Sequence, residues 1–114
     1  MVYTMIVLFA LTAVMGLMVA VAIFNKKPET PKVAVYLHGA LGATALLLLI
    51  LYRMNNPEHY PMISLILFLV GALGGFYLFF NDVVKKKPGP IGVVVVHALI
   101  GVTAFILLLA FAFL

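Results

Sequence analysis

The chain has 114 residues, of which 67% are hydrophobic and only 9% charged. Globular domains average about half apolar and about a quarter charged, so an ordinary soluble fold is excluded and the chain reads as a polytopic membrane protein. The net charge of +4 is not a nucleic-acid footprint, because six of the seven basic residues crowd into two short polar stretches.

The first apolar run extends from about Tyr3 to Phe24. A helix of about 20 apolar residues crosses a hydrocarbon core of about 30 Å. The run has no positively charged leader, is long for a signal-peptide core, and is not followed by a clear small-residue cleavage motif. It is therefore expected to stay in the mature protein. Asn25-Lys-Lys-Pro-Glu-Thr-Pro-Lys32 follows as a tight polar loop, with Pro28 and Pro31 ending one helix and starting the next.

The second run goes from about Val33 to Leu51, and Arg53 to Tyr60 forms the second loop. Pro61 opens a third run to about Phe80, with Asn81-Asp82 as its polar end. Lys85-Lys-Lys-Pro-Gly-Pro90 is the third loop, and the fourth run continues from about Ile91 to Leu114. Only helices or closed barrels satisfy their backbone polar groups in lipid. Runs rich in Leu, Ala and Val without in-out alternation predict an all-α membrane protein, an up-down-up-down four-helix bundle. No cysteine is present, which excludes disulfides, thiolate chemistry and iron–sulfur ligation.

Residues 1–55 overlay residues 60–114 at a constant offset of fifty-nine positions. Phe9 then aligns with Phe68, Gly16 with Gly75, Lys26-Lys27 with Lys85-Lys86, and Pro31 with Pro90. His38 aligns with His97, Gly42 with Gly101 and Thr44 with Thr103. Matches in helix, loop and helix at one offset point to two tandem helical hairpins within a single transmembrane domain. Because each unit crosses twice, the copies share one orientation, and their pseudo-twofold axis is expected along the membrane normal. Lys26, Lys27, Lys32, Lys85, Lys86 and Lys87 face Arg53 alone across the membrane. Positive-inside bias then puts the lysine loops in the cytoplasm and both termini outside, as expected for a bacterial inner membrane.

Ionisable side chains in lipid are costly and mark functional sites by default. In such a bundle the second and fourth helices are diagonal, so His38 and His97 are expected to face one another at one depth. That arrangement suits bis-imidazole ligation of one haem iron, which needs two opposed nitrogens and room for a flat macrocycle. Two imidazoles leave no open site for oxygen, and electron transfer is the chemistry favoured. Each histidine lies seven residues past Pro31 or Pro90, roughly 10 Å into the membrane. From that depth propionates reach the lysines, with Lys26 and Lys85 among the candidates beside Lys27, Lys32 and Lys86.

Gly42 and Gly101 lie one turn beyond the histidines on the same helix face, where a side chain would collide with a ring. Gly16 and Gly75 lie near the same depth on the first and third helices. The four glycines are expected to outline a slot for a planar ligand, with close helix packing as the plainer alternative. Gly71-Ala-Leu-Gly74-Gly75 contains a G-x-x-x-G pattern that equally offers a homodimer face through Gly71 and Gly75. Thr44 and Thr103 are expected to bond their own helices. Tyr36 and Tyr60 read as interfacial anchors, and His59 as a solvated loop residue.

The pairing of His38 with Gly42 and of His97 with Gly101 on alternate helices resembles the four-helix haem bundles of membrane b-type cytochromes. The resemblance spans the chain as architecture and rests on those few residues. It implies one haem b per chain held by His38 and His97, with quinone or another redox protein as the exchange partner. Alternatives remain: a small four-helix transporter or channel, or an accessory subunit whose histidines tie helices together. Small exporters depend on an intramembrane carboxylate, whereas Glu29, Glu58 and Asp82 all read as loop residues. Two histidines alone make a thin zinc or copper site.

Overall fold

The computed structural model describes residues 1–114. Helix α1 spans Val2–Phe24, α2 Lys32–Asn55, α3 Met62–Phe79 and α4 Ile91–Phe113. A π-helical turn, Phe80–Val84, continues α3. No strand is present. All four helices are long and apolar enough to cross a membrane, and the bundle measures 46 × 21 × 20 Å. Large apolar side chains cover its outside, with Leu73 71% and Phe76 72% exposed. Lipid is the solvent that such a surface requires. The chain is an integral membrane protein with an all-helical fold.

The second run is longer than its apolar stretch. Tyr52, Arg53, Met54 and Asn55 continue α2, because the backbone ladder needs no apolar side chain to persist past the hydrocarbon. Prolines stand at the starts: Pro31, Pro61 and Pro90 immediately precede α2, α3 and α4. Their missing N–H groups cost nothing there, while their carbonyls accept from Val35, Leu65 and Val94.

Each hairpin closes at the lysine end with a left-handed lysine, Lys26 at φ 55° and Lys86 at φ 56°. After α1 the Lys27 N–H reaches the Ala22 carbonyl and the Lys26 N–H reaches Ile23. This is the six-to-one and five-to-two pattern of a glycine-type helix terminus built without glycine. Lys26 and Lys86 are sixty positions apart, one more than the repeat. The π turn at Phe80–Val84 absorbs that extra residue, as single-residue insertions in helices do.

α1 packs most extensively on α2, and α3 on α4; α1 also lies along α4, and α2 more loosely along α3. The α1/α3 and α2/α4 pairs are therefore the diagonals of an antiparallel square. Side chains cross the diagonals where the backbones do not. Phe9 stacks on Phe68 at 3.9 Å between ring centres and 5° between planes, and Tyr52 meets Phe111 edge-on at 6.0 Å. In both pairs a residue meets its own equivalent fifty-nine positions on, so the repeat axis runs through the bundle centre. Met5, Ala45, Leu49 and Leu108 pack around the phenylalanine stack and are fully buried. Ser64 is buried beside them and donates to the Ala104 carbonyl at 2.8 Å, which removes the cost of an unpaired hydroxyl.

A left-handed conformation costs a side-chain-bearing residue about 1–2 kcal/mol. Lys26→Gly and Lys86→Gly should each raise stability in detergent unfolding by about 1 kcal/mol after glycine's entropy is discounted. Lys27→Gly, outside that conformation, should not raise it. Equal responses at all three sites would contradict the assignment.

Candidate functional site

α2 and α4 are diagonal, yet His38 and His97 meet at the centre. Their ring centres lie 6.0 Å apart with planes at 73°. They are the third pair of repeat equivalents to meet on the axis. The local cause is small side chains on the neighbouring helices. A Cβ on Gly16 would lie 2.8 Å from His38 Cε1 and 2.9 Å from its Nδ1. A Cβ on Gly75 would lie 3.3 Å from His97 Cε1, and one on Gly74 3.6 Å from His97 Nδ1. Each imidazole thus occupies a notch that glycine leaves in the partner helix of its own hairpin.

The His38 ring is held by its Nδ1, 2.8 Å from the Thr12 carbonyl. A carbonyl only accepts, so Nδ1 carries the proton and Nε2 of the neutral ring keeps a free lone pair. Histidines that bind metals are commonly oriented this way, with the second nitrogen anchored to a backbone carbonyl. The repeat equivalent of Thr12 is Gly71. His97 Nδ1 is buried and has no hydrogen-bond partner. The two imidazoles are therefore related in position but unequal in their anchoring.

The glycines divide into two classes. Gly16 and Gly75 touch the imidazoles, whereas Gly42 and Gly101 do not. A Cβ on Gly42 would meet the Thr12 methyl at 3.2 Å, and one on Gly101 would meet nothing within 4 Å. Neither glycine faces an imidazole: Gly42 faces the Thr12 side chain and Gly101 faces open space. Opposite Gly42 stands Thr12, and its repeat equivalent opposite Gly101 is Gly71, which has no side chain to meet. Gly71 and Gly75 are likewise turned into the bundle. Gly71 is buried, with Ile100 3.6 Å from where its Cβ would be. Both lie along the α3–α4 contact.

Of the lysines singled out, Lys26 and Lys85 lie exposed in the turns, Lys85 over the Phe80 ring at 5.6 Å. Neither contacts an imidazole. Tyr36 packs edge-on against Phe79 at 6.0 Å, away from the histidines. His59 rests against the Phe111 ring at 4.8 Å. Thr44 and Thr103 bond their own helices, accepted by the Ala40 and Leu99 carbonyls.

Asp82 is not a loop residue. It lies in the π turn, is buried, accepts from Thr30 Oγ1 at 2.6 Å, and pairs with Lys32 Nζ at 3.0 Å. Its sequence neighbours Asn81 and the lysine run suggest a polar loop, and nothing in them signals burial. Comparison with family models, with curated proteins and with solved structures found no match to the chain.

The contrast between glycines gives a direct test. Gly16→Ala puts a methyl against a ring that shifts only by leaving the Thr12 carbonyl, and should cost about 1–3 kcal/mol in detergent unfolding. Gly101→Ala should be neutral or stabilising by up to about 1 kcal/mol, as expected for alanine over glycine in a helix with space beside it. Equal losses at both sites would show that the imidazole notch is not the reason for Gly16.

Proposed function

We propose that the chain is a small membrane b-type cytochrome that holds one haem b between His38 and His97 and transfers electrons. The observation that carries the reading is the axial pairing of the two imidazoles, 6.0 Å between ring centres, with the His38 Nε2 lone pair free. A metal needs an imidazole nitrogen about 2 Å away on each side, and rings 6.0 Å apart would be close enough to hold one between them.

The donor set supports haem over a bare ion. No cluster of three or more His, Cys, Asp or Glu side chains is present, so protein groups alone would give a metal only two ligands. A macrocycle that brings its own nitrogens meets that shortfall. The plane midway between diagonal rings runs toward α1 and α3, where Gly16 and Gly75 withhold side chains. His38 and His97 would hold the haem, which would supply one-electron chemistry. The chain's own part is to fix the His38 tautomer through Thr12, to stack Phe9 on Phe68 beside the site, and to surround it with apolar helices that exclude water.

The exporter reading has no free buried carboxylate to draw on and would have to use His38 and His97 as proton carriers. Asp82 is the buried carboxylate of the chain, and it is already committed to Lys32 and Thr30. A proton-coupled carrier needs an acid free to exchange its proton with the transport path. We place the lysine end in the cytoplasm and both termini outside by positive-inside bias, in a bacterial inner membrane, with quinone or another redox protein exchanging electrons.

Protein purified in detergent after expression with haem should be coloured, with a sharp Soret band and split α and β bands after dithionite. His38→Ala and His97→Ala should each lose the low-spin spectrum. A colourless preparation that takes up no added haem would sink the reading, and so would low-spin spectra retained by both single variants.

A further inference from the structure

The two seams between the hairpins are equivalent in the repeat but closed differently. In the α2–α3 seam, Asp82 at the end of α3 accepts from Thr30 and pairs with Lys32 at the start of α2. Lys32 Nζ also contacts Thr30 Oγ1 at 3.1 Å and the Asp82 carbonyl at 3.3 Å. The repeat equivalents of Asp82, Thr30 and Lys32 are Ile23, Gly89 and Ile91, so the α1–α4 seam has no polar group at these positions. One turn deeper the same contrast recurs, because Tyr36 and Phe79 meet across the α2–α3 seam while their equivalents are Val95 and Ala20. The α2–α3 helices nevertheless share the least contact of any adjoining pair. Long side chains hold together, at one end, helices that hardly touch along their length.

Two further features belong to this seam. A cavity of about 310 Å³ opens at its lysine end, with Glu29, Lys32, Tyr36, Asp82 and Lys86 among its walls. The α3 side of the latch is the π turn, a helix segment with one residue more than its counterpart in α1 and so the least regular part of the bundle wall. A seam with little interhelical contact and a few breakable polar bonds opens more readily than one closed by packing along its whole length.

We infer that the α2–α3 seam is the lateral entrance through which a planar, carboxylate-bearing macrocycle reaches the histidine pair, and that Thr30, Lys32 and Asp82 are its latch. The inference rests on the haem reading for the identity of what enters. Opening parts Asp82 from Thr30 and Lys32, and α2 then separates from α3 without disturbing the packed α1–α2 and α3–α4 hairpins. Lys32, released from Asp82, stands at the cavity beside Lys86, with Glu29 across the mouth, and can exchange the Asp82 carboxylate for an entering one. Closure returns Lys32 to Asp82 and seals the apolar interior.

The test joins Thr30→Cys with Asp82→Cys in the full chain, which has no native cysteine, using a short reducible thiol-to-thiol cross-linker. Haem-free protein in detergent receives hemin, and the Soret rise gives the uptake rate. The cross-linked form should load about tenfold more slowly than the same protein after reduction, and Asp82→Asn should load several-fold faster than the unaltered chain. The matching cross-link between Ile23→Cys and Ile91→Cys, the equivalents of Asp82 and Lys32 across the α1–α4 seam, should leave the rate unchanged. A 30–82 cross-link without effect, or equal slowing by both cross-links, overturns the entrance. A second readout needs no haem: acylation of His38 and His97 by diethylpyrocarbonate, followed by peptide mass spectrometry. It should slow about tenfold in the 30–82 cross-linked form while His59 reacts unchanged. If no form takes up hemin, the haem reading fails, and the acylation rates still decide whether this seam is the way in.

Discussion

The structure depends on one constraint: a residue near the repeat axis has its own copy as its neighbour. Such a position must hold a side chain that packs well against itself. Flat rings do so, since they stack or meet edge-on at centre distances of about 4.5–7 Å, with closer contact when parallel. Phe9 with Phe68, Tyr52 with Phe111, and His38 with His97 are three such pairs on one axis. Two of them are the apolar or amphipathic rings expected of a membrane core. The third is a pair of imidazoles, each with a ring nitrogen to satisfy, and a lipid-embedded bundle has no water to satisfy it. Thr12 answers that demand for His38 through a backbone carbonyl. His97 Nδ1 has no such partner.

Away from the axis the copies are free to differ, and they do. Thr12 in one hairpin is Gly71 in the other, which leaves His97 less firmly anchored and the space beside Gly101 open. Asp82 in one hairpin is Ile23 in the other, which turns one seam into a polar latch while its equivalent stays apolar. Asp82 is buried while the Lys32 side chain stays 44% exposed, so the pair closes one seam at its solvent end and has no counterpart at the other.

Much of the fold was legible in the chain. Four apolar runs became four helices, because backbone hydrogen bonding in lipid leaves a single-chain span of this kind few other solutions. The fifty-nine-residue offset carried the axis, and the axis carried the meeting of His38 with His97. Helical spacing also placed Gly16 and Gly75 at the depth of the histidines. Spacing alone does not say what Gly42 and Gly101 meet: a Cβ on Gly42 would touch Thr12, and one on Gly101 nothing within 4 Å. Thr12 was invisible as a site residue, since its backbone carbonyl, not its side chain, holds His38. Asp82 was misread as loop, because one extra residue in a π turn carries it from the surface into the seam, and no composition rule detects that shift.

The central claim is that His38 and His97, related by the repeat axis, hold one ligand between them. Haem-loaded oxidised protein carrying ¹⁵N-labelled histidine allows a direct count by pulsed electron paramagnetic resonance, which reads the imidazole nitrogens coupled to the iron. The account predicts two coupled histidine nitrogens in the unaltered chain and one each in His38→Ala and His97→Ala under conditions that retain haem. A single coupled histidine in the unaltered chain, or a signal that survives intact in either variant, would contradict it.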